Sequence, residues 1–450
     1  MTSRAAGVAA ASSGFDGTDR SSPAGGASCN EPPRVVIVGA GFAGLAAARA
    51  LAGAKVAVTL IDRHNYHLFV PMLYQVATAG LSPADIAEPI RRILRRARNV
   101  EVLLGEVDGV DVAEKLVRLA DGHEVAYDTL ILATGSRQSH FGHPEWEPLA
   151  PGLRTIDDAR EIRSRVLLAF ERAEACDDPK ERRRLMTIVV VGGGPTGVEL
   201  AGSVAELARH TLSRDFRHIE PASARVLLVE AGGRVLAGFP ESLSRYAARA
   251  LERLGVEVRV DAPVEAVRQG GVTVGGRDVP AATVLWGAGV AASPAGRWLG
   301  VGTDRVGRVP VGATLAVPGL EGVYVLGDTA LAKDGNGRPL PGLAQVAKQQ
   351  GRHLGNGLRR HLEDGSPIRP FRFRDMGNMA TIGRHAAVAD FGWLRLKGRP
   401  AWFLWGIVHV FLLVGFGNRL AVTGRWLWSW ATYARGARLI TRNPNPSPAE

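Results

Sequence analysis

Two stretches of this chain join a run of branched apolar residues to three glycines at one spacing, and that repeat limits the fold more than any other feature. In the first, residues 35–45 read VVIVGAGFAGL, a buried parallel strand followed by Gly39, Gly41 and Gly44. The first glycine permits a tight turn, the second lets the backbone approach a diphosphate, and the third lets the following helix pack on the strand. The diphosphate is then left on the helix N-terminus. An Ala-rich helix over 45–51 and a second strand over 56–61 follow, and Asp62 ends that strand with a carboxylate suited to a ribose diol. The second stretch repeats every part: a strand over 188–191, glycines Gly192, Gly194 and Gly197, a helix over 198–210, a strand over 226–229 and the acid Glu230. Two complete units imply two dinucleotides.

With 450 residues and a hydrophobic fraction of 46%, the chain has material for two or three domains with real cores. Its two cysteines, Cys29 and Cys176, are far apart, which excludes a disulfide framework, a CxxC redox pair and a metal cluster, so no metal is expected. A formal charge of +11 implies an anionic partner, either nucleic acid or an acidic membrane face. Aromatic placement near the C-terminus favours the membrane, and no nucleic acid is expected. Residues 1–30 are rich in Ala, Ser and Gly without periodicity, predicting a disordered tail. They hold no apolar run of the kind a secretory signal needs, so the body is expected in the cytoplasm.

Residues 63–98 are too aromatic for a solvent loop and too proline-interrupted for a plain crossover helix, so they are expected to line something. Within them His64 and His67 read as packing or hydrogen-bonding residues, and Ser82 or Asp85 as the start of a helix carrying Arg91, Arg92, Arg95, Arg96 and Arg98 on a solvated face. Segments 100–104, 115–119 and 130–133 fit a small meander returning to the main sheet. The last ends in Thr134 and Gly135, which lets a ligand approach the sheet's carboxyl edge. The LWGAGV run over 285–290, with Gly287 and Gly289, repeats this ending in the second half, and VYVLGD over 323–328 repeats it with Gly327 and the acid Asp328.

In that order, VVIVGAGFAGL, LILATG, VVVGGGPTGVEL and VYVLGD resemble the flavoprotein disulfide reductase superfamily. The resemblance implies an α/β fold of two Rossmann-like, glutathione-reductase-like domains, with FAD at the first site and a nicotinamide cofactor at the second. More narrowly, HNYHLFVPMLYQVATAG, GGGPTGVELAG and GLAQVAKQQG resemble type II NADH dehydrogenase, the single-subunit NADH:quinone oxidoreductase that pumps no protons. Ala344, Gln345, Ala347 and Gln349 match that family's AQxAxQ pattern. This implies hydride transfer from NADH to FAD, then two electrons to a quinone, ubiquinone or menaquinone. Glu199 is implied to sit near nicotinamide and flavin, orienting the one or relaying a proton. Its other reading is a carboxylate favoured by a helix N-terminus. Gln345 and Gln349, four residues apart, are implied to share a helix face toward one bound ring. The expected organisation is an FAD domain from 31–150 and 310–375, an NADH domain from 151–309 between them, and a membrane-anchoring region from 376–450. Two rivals remain: a soluble FAD-dependent NADH reductase of ferredoxin or rubredoxin, and a redox-responsive binding protein without turnover.

Residues 401–418 carry no formal charge with His409 neutral, and at 1.5 Å per residue would span roughly 27 Å, close to a hydrocarbon core. His409 and three glycines weaken a transmembrane reading. Residues 425–440 place Trp426, Trp430, Tyr433 and Ala437 on one helical face, an interfacial pattern. Since the resembling family is monotopic, peripheral attachment to the cytoplasmic face of the cell membrane, with anionic lipids, is preferred to a single span. A core helix, or a helix joining a homodimer, is the other reading.

Overall fold

The computed structural model describes residues 31–414, 419–426 and 436–441. The expected tail, Trp430 and Tyr433 lie outside the described residues. Arg34–Val38 forms the centre of a five-stranded parallel sheet, flanked by Ala57–Asp62 and Thr129–Leu132, with Val100–Leu104 and Val323–Val325 at the edges. Strands covered on both faces are continuously apolar, and Val35, Val36, Ile37 and Val38 are all buried accordingly. Thr187–Val191 is an inner strand of a second, four-stranded parallel sheet, between Arg225–Val229 and Thr283–Trp286, with Val256–Arg259 at the far edge.

Each central strand feeds a helix through its glycine turn: Phe42–Leu51 in the first unit and Pro195–Glu206 in the second. The long helix Ala344–Asp364 lies on Phe42–Leu51 almost backbone to backbone. A Cβ on Gly351 would stand 2.0 Å from the Ala43 carbonyl oxygen, and one on Gly355 would stand 2.7 Å from the Ala50 Cβ. A three-stranded antiparallel sheet, Asn378–Thr381, Ala387–Asp390 and Arg395–Gly398, then crosses to the second unit. It meets the Pro195–Glu206 helix at Gly202, where a Cβ would lie 2.8 Å from the Ile382 carbonyl oxygen. This contact puts Thr381 beside Glu199.

Helix Arg399–Leu412 covers that sheet. Its inner face buries Ala401 and Trp405, while Phe403, Ile407 and Phe411, one turn apart, are 56%, 68% and 71% exposed. Among the described residues no helix is long and apolar enough to cross a membrane.

Several sequence expectations shift. The first fingerprint helix starts at Phe42 rather than residue 45. The helix expected over 198–210 starts at Pro195, and its last turn, Leu207–Thr211, relaxes to a π-helix. Val100–Leu104 and Thr129–Leu132 belong to the main sheet, and the meander is Val107–Asp111, Leu116–Leu119 and Glu124–Ala126. Alternation identifies strands but not their partners. The expected basic helix is interrupted: Ser82 and Asp85 form a capping box on the short Pro83–Ile86 helix, Ala87–Pro89 pairs with Tyr66–Leu68, and only Ile90–Leu94 is helical beyond it. Pro89 holds Glu88 out of the helical region, so no continuous helix forms.

Candidate active site

The two glycine turns have one geometry. Gly39 and Gly192 take φ of +97° and +104°, a region open to glycine. A Cβ on Gly44 would stand 1.8 Å from the Gly39 carbonyl oxygen, and one on Gly197 1.8 Å from that of Gly192. Protein packing therefore explains the first and third glycines of each unit. It does not explain the second: a Cβ on Gly41 or Gly194 would meet no protein atom within 4 Å. Both are helix N-caps, and the first N–H groups of a helix have no partner within it. That space is of the kind a diphosphate occupies at a helix N-terminus.

The two acids also correspond. Ala40 N–H donates to Asp62 Oδ2 at 2.6 Å and His64 N–H to Asp62 Oδ1 at 2.7 Å. Gly193 N–H donates to Glu230 Oε2 at 2.5 Å and Gly232 N–H to Glu230 Oε1 at 2.7 Å. In each unit the acid ties down the residue between the first two glycines. A carboxylate has about four acceptor positions, so two backbone bonds leave room for a ribose diol. His67 grips the other side of the Ala40 peptide, its Nδ1 2.8 Å from the Ala40 oxygen. Burial lowers the His67 pKa, so the ring is neutral with its proton on Nδ1, the atom facing that carbonyl oxygen.

At the carboxyl edge of the first sheet, Thr134 Oγ1 lies 2.5 Å from Ser293 Oγ, and Thr329 Oγ1 donates to the Gly135 carbonyl oxygen at 3.0 Å. Asp328 accepts from Ser136 Oγ at 2.7 Å, and Gly327 N–H donates to Gln350 Oε1 at 2.7 Å. In the second unit Gly287 lies against Gly197, where a Cβ would stand 3.1 Å from the Gly197 Cα, and Gly289 turns under Phe141.

Glu199 sits in the second turn of the second fingerprint helix and lines a cleft with Tyr74, Thr78, Ser203, Thr381 and Trp426. Thr381 N–H donates to its Oε1 at 3.3 Å. Burial pushes the Glu199 carboxyl up to about 8, outweighing the Thr381 N–H that favours the carboxylate, so at neutral pH it is largely protonated and able to donate. The cleft reaches the C-terminal helices, where Trp405 stacks on Trp426 and on His409. Burial lowers the His409 imidazole to about 4. That ring is therefore neutral, as the uncharged reading of residues 401–418 requires.

Gln345 and Gln349 share a helix face but spend their amides on protein backbone. Gln349 Nε2 donates to the Arg374 carbonyl oxygen at 2.8 Å, and its Oε1 accepts from Arg374 N–H at 3.0 Å. Gln345 Nε2 donates to the Gly377 carbonyl oxygen and its Oε1 accepts from Met376 N–H, both at 3.0 Å. The pair straps down the segment that enters the Asn378–Thr381 strand.

Sequence reading did not single out Tyr74, Gln75 or Thr381. The first two stand in the segment expected to line something; Thr381 carries no local signal.

Residues 33–351 match the pyridine nucleotide-disulphide oxidoreductase family. The chain is 43% identical over 428 residues to the type II NADH:quinone oxidoreductase Ndh of Mycobacterium tuberculosis, covering 91% of each. It is 45% identical over 424 residues to NdhA of the same organism, covering 91% of this chain and 89% of that one. The solved structure of NDH2 from Plasmodium falciparum in complex with NADH shares the fold, with a TM-score of 0.82 at 21% identity over 91% of this chain and 100% of that one. With the family matched across both glycine cradles, and such identities across nine-tenths of its length, the chain belongs to the pyridine nucleotide-disulphide oxidoreductases and, within them, to the type II NADH:quinone oxidoreductases.

Proposed function

We propose that this chain binds FAD at the first cradle, oxidises NADH held at the second, and reduces a quinone drawn from the membrane. The observation that carries this reading is the pair of open spaces before Gly41 and Gly194, both explained by a diphosphate and neither by the protein. The twofold use of one strand, turn and acid assigns two dinucleotides, and Glu199 stands on the helix of the second, beside the cleft toward the C-terminal helices.

FAD, when bound, supplies two-electron exchange between a nicotinamide and a quinone. The protein's part is binding, orientation and proton handling. Asp62 and His67 hold the first turn in its binding shape; Asp328 and Thr134, at the carboxyl edge of the same sheet, take the ribityl and ring contacts. Glu230 holds the second turn and, with its remaining lone pairs, selects a ribose diol over a 2'-phosphate. Glu199, protonated at neutral pH, holds a proton at its carboxyl group between the second cradle and the cleft. Gln345 and Gln349 serve the acceptor step by fixing Arg374 to Gly377 at the head of the strand bearing Thr381.

Attachment to the membrane is peripheral and runs through the exposed row Phe403, Ile407 and Phe411. Arg419 follows on the next helical stretch, adding attraction to anionic lipid headgroups on the cytoplasmic face.

The test is an anaerobic spectrum of the purified flavoprotein, first with NADH and then with a soluble quinone. Flavin absorbance bleaches with NADH and returns with quinone. Return with ferredoxin or rubredoxin but not quinone favours the soluble-reductase reading, and bleaching without sustained NADH consumption favours a binding protein. Gln345→Leu or Gln349→Leu slows the return more than the bleaching; equal slowing with FAD retained removes these residues from the acceptor step.

A further inference from the structure

A chain of hydrogen bonds runs from the C-terminal helices to the Glu199 cleft, and its polarity follows from one group. Trp426 Nε1 lies 2.9 Å from Gln75 Oε1, Gln75 Nε2 lies 3.0 Å from Tyr74 Oη, and Tyr74 Oη lies 3.0 Å from Thr381 Oγ1. An indole N–H only donates. Gln75 must therefore turn its carbonyl to Trp426, which fixes the amide orientation and points its NH₂ at Tyr74. Tyr74 accepts there, so its own hydrogen goes to Thr381. Burial raises the Tyr74 pKa, so the phenol keeps that hydrogen. Thr381 Oγ1 is thus an acceptor toward Tyr74, and its own hydrogen remains to be placed. Thr381 is 2% exposed, and its side chain makes no other hydrogen bond among the described residues. The free direction is the cleft that Thr381 lines.

We propose that the Thr381 hydroxyl donates a hydrogen bond to a carbonyl oxygen of the acceptor quinone in this cleft, and that Trp426, Gln75 and Tyr74 are positioning residues that keep it a donor. This rests on the quinone-reductase reading above. The donor needs no charge and suits a carbonyl oxygen that gains electron density as the ring is reduced. The arrangement also ties the substrate contact to the C-terminal segment, because the residue setting the polarity belongs to that segment.

The experiment times flavin reoxidation by a soluble quinone in the full-length, NADH-reduced flavoprotein. Thr381→Val keeps the shape and the backbone N–H that meets Glu199 but removes the donor. One lost hydrogen bond to a neutral carbonyl predicts reoxidation about 3- to 10-fold slower, with a higher KM for quinone. Thr381→Ser restores the rate. Trp426→Phe keeps an aromatic ring against Trp405 and loses the N–H; it slows reoxidation in the same direction, and the double variant Trp426→Phe/Thr381→Val is no slower than Thr381→Val alone. Unchanged reoxidation in Thr381→Val, failure of serine to rescue, or additive slowing in the double variant overturns the proposal. Because Trp426→Phe leaves Thr381 intact, it keeps the test decisive even where Thr381→Val folds poorly. A wild-type protein bleached by NADH and not reoxidised by quinone instead sinks the functional reading itself.

Discussion

Replacing Gly41 with alanine separates what the fold needs from what the cofactor needs. The position has φ −67° and ψ −161°, which alanine adopts without strain, and no protein atom lies within 4 Å of the added Cβ. Alanine is a poorer N-cap than glycine by about 0.5–1 kcal/mol, and the stiffer unfolded chain returns about 0.4–1 kcal/mol. The two nearly cancel, so the apoprotein's stability changes by less than about 0.5 kcal/mol. The bound diphosphate, by contrast, meets a methyl group at its closest approach to the backbone. Overpacking by one methyl costs about 1–3 kcal/mol, which weakens FAD binding about 5- to 150-fold. Gly44→Ala is the contrasting control, since its methyl would stand 1.8 Å from the Gly39 carbonyl oxygen and the apoprotein itself must rearrange. Thermal melts of deflavinated protein read the first quantity, and quenching of FAD fluorescence on titration reads the second. Gly194→Ala transfers the same logic to the second cradle, with the KM for NADH rising and FAD occupancy intact. An apoprotein destabilised by several kcal/mol in Gly41→Ala, or FAD bound as tightly as in the wild type, refutes the cradle argument.

Three further outcomes are expected. Because burial raises the Glu199 pKa from 4.5 to about 8, the folded chain holds a proton that the unfolded chain loses across that interval, so this group's contribution to stability falls as pH rises through it and is flat above. Glu199→Gln therefore gains thermal stability relative to the wild type between pH 5 and pH 8.5, and parallel pH profiles would count against the burial. Glu230 confronts a 2'-phosphate with like charge while Arg234 donates to the Ala237 carbonyl oxygen, so kcat/KM favours NADH over NADPH by more than about 100-fold; Glu230→Gln narrows the ratio, and comparable efficiencies in the wild type would defeat the assignment. Replacing Phe403, Ile407 and Phe411 together with serine removes about 5–9 kcal/mol of apolar anchoring, so the variant leaves vesicles in a high-salt wash while NADH still bleaches its flavin; retention on the vesicles contradicts the anchor.

Where function depends on local sterics, it was legible in the chain. Branched strands, glycines at fixed offsets and a terminal acid are neighbours in sequence because the turn that uses them is short, and the structure gives both turns the same shape. What escaped the sequence is made of pairs that only the tertiary fold brings together. Tyr74 and Thr381 are 307 residues apart, and no periodicity links them. His67 was expected to pack or to form hydrogen bonds, and it grips the Ala40 carbonyl oxygen from a strand paired with Ala87–Pro89, where the expected helix is interrupted. The two glutamines show a different limit. Their spacing places them on one face, yet the occupant of that face, the backbone of Arg374 to Gly377, comes from a later segment with no signature of its own.

The C-terminal helix shows why an anchoring and a core-packing reading were hard to separate from pattern alone: one face packs on the core and the other exposes an apolar row. Its inner residues Ala401 and Trp405 are buried with the core of the second unit, and Leu413 closes the same side. Beyond it, Arg425 Nη1 lies 2.8 Å from Asp85 Oδ2, whose side chain is almost fully buried. Deleting everything after Arg399 therefore removes a buried tryptophan, at about 3–5 kcal/mol, and strands a carboxylate that had a cationic partner. Such a truncation releases the protein from membranes and loosens the flavin-bearing body together, so it cannot assign the anchor. The outward row Phe403, Ile407 and Phe411 makes the separation possible, because those side chains face away from the core and their replacement leaves Trp405, Trp426 and the hydrogen-bond chain to Thr381 in place. Loss of vesicle binding with that chain intact then isolates attachment from chemistry: soluble quinone is reduced at the wild-type rate, while quinone dissolved in the bilayer is reduced slowly.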